Sequence, residues 1–189
     1  MLAARARNAP VADAVGMWCV WHGIETPSVE RLELTDTPDG VLARSTVETP
    51  GEQYEYEVTL GPDWVLRALF VRTMRRALDL RRDPAGSWSL DGEPHPDLAD
   101  AVDVDLSFSP FTNTLPIRRL ALDVGDSAEI VTAYVEAERL AVTPDAQRYT
   151  RLTEDRYVYE SLDSDFRRTI TVDTHGLVVD YPGLYRREG

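Results

Sequence analysis

The sequence predicts a mainly β, single-domain protein: a strongly curved antiparallel β-roll or open barrel with few short helices. Three observations predict it. Apolar and polar residues alternate through much of the chain, as in Tyr54-Glu55-Tyr56-Glu57-Val58-Thr59-Leu60 and Val102-Asp103-Val104-Asp105-Leu106, the pattern of a strand with one buried face. The runs are short and end at turn dipeptides such as Asp39-Gly40, Pro50-Gly51, Asp91-Gly92 and Gly125-Asp126, where glycine supplies positive φ and Pro or Asp starts the turn. No long helical periodicity alternates with the strands, which argues against a parallel α/β sheet. So many short strands must curl to bury a common face.

The elements follow in order. Met17–Trp21 is a short apolar strand. Trp18 and Trp21 are three apart and face opposite ways on a regular strand, so one of them is a candidate pocket or edge residue. Val29–Thr35 and Val41–Thr49 flank Pro38-Asp39-Gly40 and read as a hairpin. After Pro50-Gly51, residues 54–60 set aromatics on one face and glutamates on the other. Trp64–Leu80 admits two readings. It is a helix capped by Asp63, or two strands, Trp64–Val71 and Arg76–Arg82. The strands are preferred, because Ala77–Leu80 pairs naturally with Ser87–Leu90 across Pro84-Ala85-Gly86. Glu93–Ala99 is a proline-containing loop with room for a helical turn. Val102–Phe108 is a strand, Ser109–Leu115 is irregular, and Ile117–Val124 is apolar enough for another strand. Ile130–Glu136, Leu140–Val142, Arg148–Leu152, Arg156–Ser161 and Phe166–Val172 continue the sheet, and Leu177–Tyr181 closes it before Pro182-Gly183. Residues 1–11 read as a disordered leader ahead of one domain, 12–189. No internal repeat or linker divides that domain.

Composition narrows the function classes. At 189 residues with 43% hydrophobic and 28% charged residues, the chain has the makings of one globular core. Asp and Glu total 33 against 20 Lys and Arg, a net charge of −13. That field repels nucleic acid and anionic membranes. Arg72, Arg75, Arg76, Arg81 and Arg82 are interrupted by acidic and apolar residues and read as a solvated face. No apolar run approaches the roughly 20 residues of a transmembrane segment. Cys19 is alone and cannot form an intramolecular disulfide. Arg5 and Arg7 are followed by Asn8, Pro10 and Asp13 rather than an apolar signal core. The expectation is a cytoplasmic protein.

Familiar catalytic motifs are absent from the sequence: no Gly-x-Ser-x-Gly, P-loop, Gly-x-Gly-x-x-Gly, Cys-x-x-Cys or His-Glu-x-x-His occurs. His22, His95 and His175 lack metal-ligand spacing. No catalytic residue, cofactor or metal is therefore assigned. Asp103-Val104-Asp105 places two carboxylates on one strand face about 6.5–7 Å apart at the backbone. Such a pair can form ion pairs with Arg118 or Arg119, contact a ligand, or divide acid and base roles; ion pairing is the favoured use. Tyr54 with Tyr56, and Tyr157 with Tyr159, put two rings on one face, for core packing or for a pocket wall.

Longer stretches carry a resemblance. They are Trp18-Cys19-Val20-Trp21, Asp63-Trp64, Gly86-Ser87-Trp88 with Asp91-Gly92, Asp103-Val104-Asp105-Leu106, the run from Ser109-Pro110-Phe111-Thr112-Asn113 through Arg119-Leu120, Gln147–Thr150, and Gly176 to Asp180-Tyr181-Pro182-Gly183. Over residues 16–187 the chain resembles the putative glycolipid-binding family of small bacterial proteins. One departure is Asp100-Ala101, where that family often has Gly-Cys, so no role attaches to that cysteine here. The resemblance implies a curved β-roll open on one side and the holding of a glycolipid or another amphipathic small molecule. On that reading an apolar groove takes an acyl chain and a polar mouth takes the head. The candidate ligand-binding residues are Trp18, Trp21, Asp103, Asp105, Asn113, Arg118, Arg119 and Tyr181. At about 0.8 kcal/mol per buried methylene, a chain of ~14 offers on the order of 10 kcal/mol before ordering costs. Two alternatives stand beside it: a non-catalytic structural or protein-interaction module presenting the Ser109–Pro116 loop, and a hydrolase using Asp103 and Asp105.

Overall fold

The computed structural model describes residues 16–189; the expected leader, 1–11, lies outside the described residues. Fifteen strands make one sheet. They are β1 (Gly16–Gly23), β2 (Ser28–Thr37), β3 (Gly40–Glu48), β4 (Gln53–Leu60), β5 (Leu66–Arg72), β6 (Ala77–Arg82), β7 (Trp88–Leu90), β8 (Glu93–Pro94), β9 (Asp103–Leu106), β10 (Ser127–Val135), β11 (Val142–Arg151), β12 (Arg156–Ser161), β13 (Arg167–Val172), β14 (Val178–Tyr181) and β15 (Tyr185–Arg187). One short helix, α1 (Thr114–Leu120), interrupts them.

Their order is β8-β7-β6-β5-β4-β3-β2-β1-β15-β14-β13-β12-β11-β10-β9. Each neighbouring pair is antiparallel except β9 with β10, which is parallel. The chain therefore forms two meanders, joined where β15 returns to β1. Register there is Trp21↔Arg187, His22↔Arg186 and Gly23↔Tyr185. The seam is extended by the Ile24 and Glu25 amides to the Leu184 and Gly183 carbonyls, 2.9 and 3.1 Å.

Connectivity forces the curvature. Strands β8 and β9 sit at opposite edges of the order, which in a flat sheet would be about 67 Å apart at ~4.8 Å per strand. Only eight residues separate Pro94 from Asp103, a reach of at most ~32 Å. The sheet must roll until its edges approach, although it does not close. A 3₁₀ turn at Pro96–Leu98 makes the crossing, and the Trp88 indole N–H fastens it to the Ala101 carbonyl at 3.0 Å.

The roll is filled from within. Leu98, Val104, Leu106, Phe108, Phe111 and Leu115 are buried in one cluster with Leu32, Val58 and Leu69 of the first meander. Tyr54 stacks on Phe108 at 4.3 Å between ring centroids, and Tyr56 lies nearly parallel to Phe111 at 6.5 Å. A second cluster gathers Tyr149, Tyr157, Tyr159, Ile170, Val178 and Tyr181.

The alternation and turn signals place most strands within a few residues. Trp64–Leu80 does form two strands, β5 and β6, and Trp64 itself precedes them at φ 63°. Gly40 closes the β2–β3 hairpin at φ 137°, with the Leu60 carbonyl where a Cβ would stand. Three expectations need correction. Ile117–Val124 is not a strand: α1 covers Thr114–Leu120 and ends at Ala121 in the left-handed region, φ 45°. Its buried Leu115 and Ile117 pack inward, while Arg118 and Arg119 sit in the last turn, where the helix dipole favours cations. Leu140–Val142 and Arg148–Leu152 are not two strands: Val142–Arg151 is one strand, β11, and Leu140 precedes it at φ 54°. Pro144 is tolerated within it because β12 begins its pairing only at Gln147. The sheet also continues past Tyr181, through the turn at Pro182-Gly183 into β15.

Trp21 ties the seam to the second meander. It is fully buried, and its indole N–H donates to the Val178 carbonyl at 2.7 Å. Replacing it by Phe removes the donor and strands a buried carbonyl. Trp21→Phe is expected to cost about 1–3 kcal/mol in urea unfolding; an unchanged midpoint would show that the seam does not need this bond.

Candidate functional site

Between the second meander and the turn after β9 lies a cavity of about 270 Å³. Strand alternation aims Tyr134, Tyr159 and Tyr181 into it from β10, β12 and β14, and the turn after β14 adds Leu184 and Tyr185. Asp105, Ser109 and Asn113 close the other side. The rings meet edge to face or tilted, with Tyr159–Tyr181 centroids at 6.3 Å and Tyr181–Tyr185 at 6.5 Å. Burial pushes the phenols of Tyr159, Tyr181 and Tyr185 well above their ordinary value. They stay neutral and offer both a donor and an acceptor.

Asp105 and Asp145 are the carboxylates of this cavity, and Asp105 is the more deeply buried. The Thr112 hydroxyl donates to its Oδ1 at 3.2 Å, and the Gln147 amide donates to its Oδ2 at 2.7 Å. The same amide reaches Asp145 Oδ2 at 2.8 Å, so one side chain bridges two carboxylates. Burial pushes Asp105 up to about 6; the bonds from Gln147 and Thr112 restrain the rise, and the Asp145 charge adds to it. Asn113 is held as firmly: its Oδ1 accepts the Tyr149 hydroxyl at 2.9 Å, and its Nδ2 donates to the Pro110 carbonyl at 3.2 Å.

Behind Ser109 stands a buried glutamate, Glu30 of β2. Its Oε1 takes the hydroxyls of Tyr56 at 2.5 Å and of Ser45 and Ser109 at 2.9 Å each. Its Oε2 has no partner among the described residues. Desolvation outweighs the three hydroxyls and raises this carboxyl to about 7.

A second cleft of about 450 Å³, walled by Pro50, Tyr54, Phe108 and Ala137, adjoins the cavity. Ser107, Leu184 and Tyr185 line both. The Tyr185 hydroxyl donates to the Ser107 carbonyl at 3.4 Å across the boundary.

Of the residues singled out from sequence, the cavity brings together Asp105, Asn113 and Tyr181. Asp103 does not join them. It is fully buried and held by Arg119, with Nε at 3.0 and 3.2 Å and Nη2 at 2.5 Å. Burial raises the Asp103 carboxyl, and the guanidinium fork pulls back part of that rise. Arg118 lies over the Trp64 ring at 4.8 Å. Trp21 is core, and Trp18 is 68% exposed on the outer face. Sequence reasoning missed Glu30 and Asp145, and quoted Gln147 only within the Gln147–Thr150 stretch, with no site role. The signal for Glu30 was its phase: it lies on the Leu32–Leu34 face of β2 rather than with Arg31 and Glu33. No cluster of three His, Cys, Asp or Glu side chains among the described residues has metal-site geometry.

Fold and site together define an open β-roll with a small tyrosine-walled, carboxylate-bearing cavity on its flank. The chain belongs to the family described as Putative glycolipid-binding, whose profile matches residues 18–187. It is similar to a DUF1089 family protein from Pseudomonas aeruginosa with a crystal structure at 1.80 Å, at 32% identity and a TM-score of 0.69, over 100% of this chain and 99% of that one. No curated protein matches the chain.

Two predictions test these contacts. Arg119→Ala leaves Asp103 buried and unpaired, an expected loss of about 3–5 kcal/mol. Asp103→Asn should cost less, because Arg119 is partly exposed and can turn to water. Chemical denaturation of both variants gives the order, and equal stability of Arg119→Ala and wild type would refute the ion-pair role. For Glu30, the folded value of about 7 lies above the ordinary 4.5. Its favourable contribution is therefore full below about pH 4.5 and is lost as pH rises through 7, a change on the order of 3 kcal/mol. Glu30→Gln should flatten that component between about pH 5 and pH 8, read as the difference from wild type in urea midpoint. Parallel profiles for the two proteins would remove the assignment.

Proposed function

We propose that the protein binds a small amphiphile of the glycolipid kind, its sugar head in the Asp105–Tyr181 cavity and the first part of its chain along the Tyr54–Phe108 cleft. The observation that carries this is the common wall: Ser107, Leu184 and Tyr185 face a cavity of mixed lining that holds Asp105 and Asp145 on one side and a largely apolar cleft on the other. A sugar ring presents hydroxyls that both donate and accept, and apolar C–H faces. Carboxylates, phenols and aromatic faces answer each of these.

Size decides which part goes where. The cavity, at about 270 Å³, lies just below the ~300 Å³ at which ligand pockets usually begin. It suits a single head group and not an acyl chain. The apolar interior that could have held a long chain is taken up by Leu98, Phe108, Phe111 and Leu115. That leaves the cleft, where about five methylenes would add roughly 4 kcal/mol before ordering costs. Family membership supports the same ligand class.

The test is calorimetric titration with octyl glycosides bearing glucose, galactose or mannose heads, below their micelle concentrations, beside the matching methyl glycosides and octanol. At least one octyl glycoside should bind more tightly than both its methyl counterpart and octanol. Asp105→Asn should weaken that binding about tenfold by removing a charge-assisted hydrogen bond. Leu184→Asp should abolish the advantage of the octyl over the methyl compound. Failure of every octyl glycoside, or octanol binding as well as the best of them, would end the proposal.

A further inference from the structure

The outer face of the first meander carries a feature that the cavity does not explain. Register aligns one residue from each of β1 to β5 in a row across the strands: Trp18↔Glu33, Glu33↔Arg44, Arg44↔Glu57 and Glu57↔Phe70. The row begins and ends on an aromatic ring. Trp18 is 68% exposed and Phe70 45% exposed, so neither ring stabilises the fold by burial in the way Trp21 does. Four strand spacings separate their strands, about 19 Å. Between them runs a shallow trough of about 680 Å³ with a floor of charged side chains.

That floor is ordered and nearly neutral. Arg44 Nε bonds Glu57 Oε2 at 2.8 Å, Arg31 pairs with Glu48 at 3.2 Å, and Arg72 pairs with Glu55. Three arginines face four glutamates. In a chain of net charge −13 this is locally close to balance. A polyanion finds no excess of positive charge here, and a polycation finds little negative charge to gain. All five strands are paired on both sides, so a peptide cannot add to this face as an extra strand.

We propose that this trough is a second binding site, for a soluble, uncharged oligosaccharide laid across the strands between Trp18 and Phe70. Guanidinium groups donate to sugar hydroxyls, carboxylates accept from them, and the two rings take the apolar faces of pyranose units at either end. The glycan replaces water over two rings that folding leaves wet, and the ion pairs hold the polar floor in place before it arrives. The site lies on the opposite face of β2–β4 from Glu30 and is independent of the cavity, its occupant and its chemistry.

The experiment titrates the whole protein with soluble cello-, malto- and chito-oligosaccharides, followed by NMR of the tryptophan indole N–H signals and by calorimetry. At least one series should bind, shift the Trp18 indole signal and gain affinity with length. Trp18→Ala and Phe70→Ala should each weaken it at least about fivefold, as loss of an aromatic anchor does. Neither ring is core, so both variants should keep a cooperative unfolding transition within about 4 °C of wild type. Asp105→Asn should leave this binding unchanged, which separates it from the cavity. The proposal falls if no series shifts the Trp18 signal, or if binding survives both aromatic replacements. It also falls if Trp18→Ala instead dissolves a self-associated form, since a second copy would then be what covers the trough.

Discussion

The pairing of β15 with β1 is the constraint on which the rest of the architecture depends. Every other antiparallel contact joins strands that are neighbours in sequence, and each of those could form within its own meander. Only this seam makes one sheet of the two. It pairs Trp21 with Arg187 across nearly the whole chain, so it carries the largest loop-closure cost and must be rewarded by what it brings together. Trp21 supplies part of that reward through full burial and its bond to Val178. The seam also carries the chain directly from Tyr181 to Tyr185 along the flank of the roll. Leu184 and Tyr185 stand between cavity and cleft because the backbone there is already committed to β1.

The second determinant is the way the roll is filled. The segment from Leu98 to Leu115 crosses the inside of the first meander and spends its apolar side chains there. A segment this polar at its turns cannot be buried without partners, and its partners define the site. Ser109 is met by Glu30 and Tyr56 from the sheet, Thr112 takes the Leu106 amide and bonds Asp105, and Asn113 is met by Tyr149. Enclosed carboxylates are costly even with hydroxyl donors. Glu30 and Asp105 both show that cost as a raised pKa. Placing two such groups beside one small cavity costs stability that well-packed apolar side chains would have supplied.

How much of this the sequence made legible follows from the range of each signal. Alternation and turn dipeptides are local, and they placed β2 to β6 and β12 to β14 closely. Helix α1 escaped because a short apolar run has no readable period, and only its packing on the core decides between helix and strand. Strand β15 escaped because three residues after a Pro-Gly turn carry no pattern, and their partner lies at the far end of the chain. In the site, Asp105 and Asn113 were legible as parts of conspicuous motifs. Glu30 was legible in principle, from its phase with Leu32 and Leu34, but a glutamate in an acidic chain reads as surface until a partner strand is placed beside it. Gln147 stood only at the head of the Gln147–Thr150 stretch, with no role attached, and Asp145 had no cue at all, since both belong to a strand that the sequence split in two around Pro144.

The two tryptophans of β1 show how a single strand can serve both faces of a one-layer sheet. Their spacing of three makes opposite orientations unavoidable on a regular strand. Turned inward, Trp21 meets the second meander and helps hold the two meanders together. Turned outward, Trp18 meets water, at one end of a row that runs through Glu33 and the Arg44–Glu57 ion pair to Phe70. A sheet covered on both sides would have buried both rings, and a sheet of alternating charge alone would have needed neither. Because the roll is filled by its own chain on the inside and covered by no described segment on the outside, its inner face leaves only a small, half-open cavity. Its outer face has room for something long. The contrast between a compact cavity inside and an extended aromatic-ended trough outside is thus a consequence of rolling one sheet around its own chain.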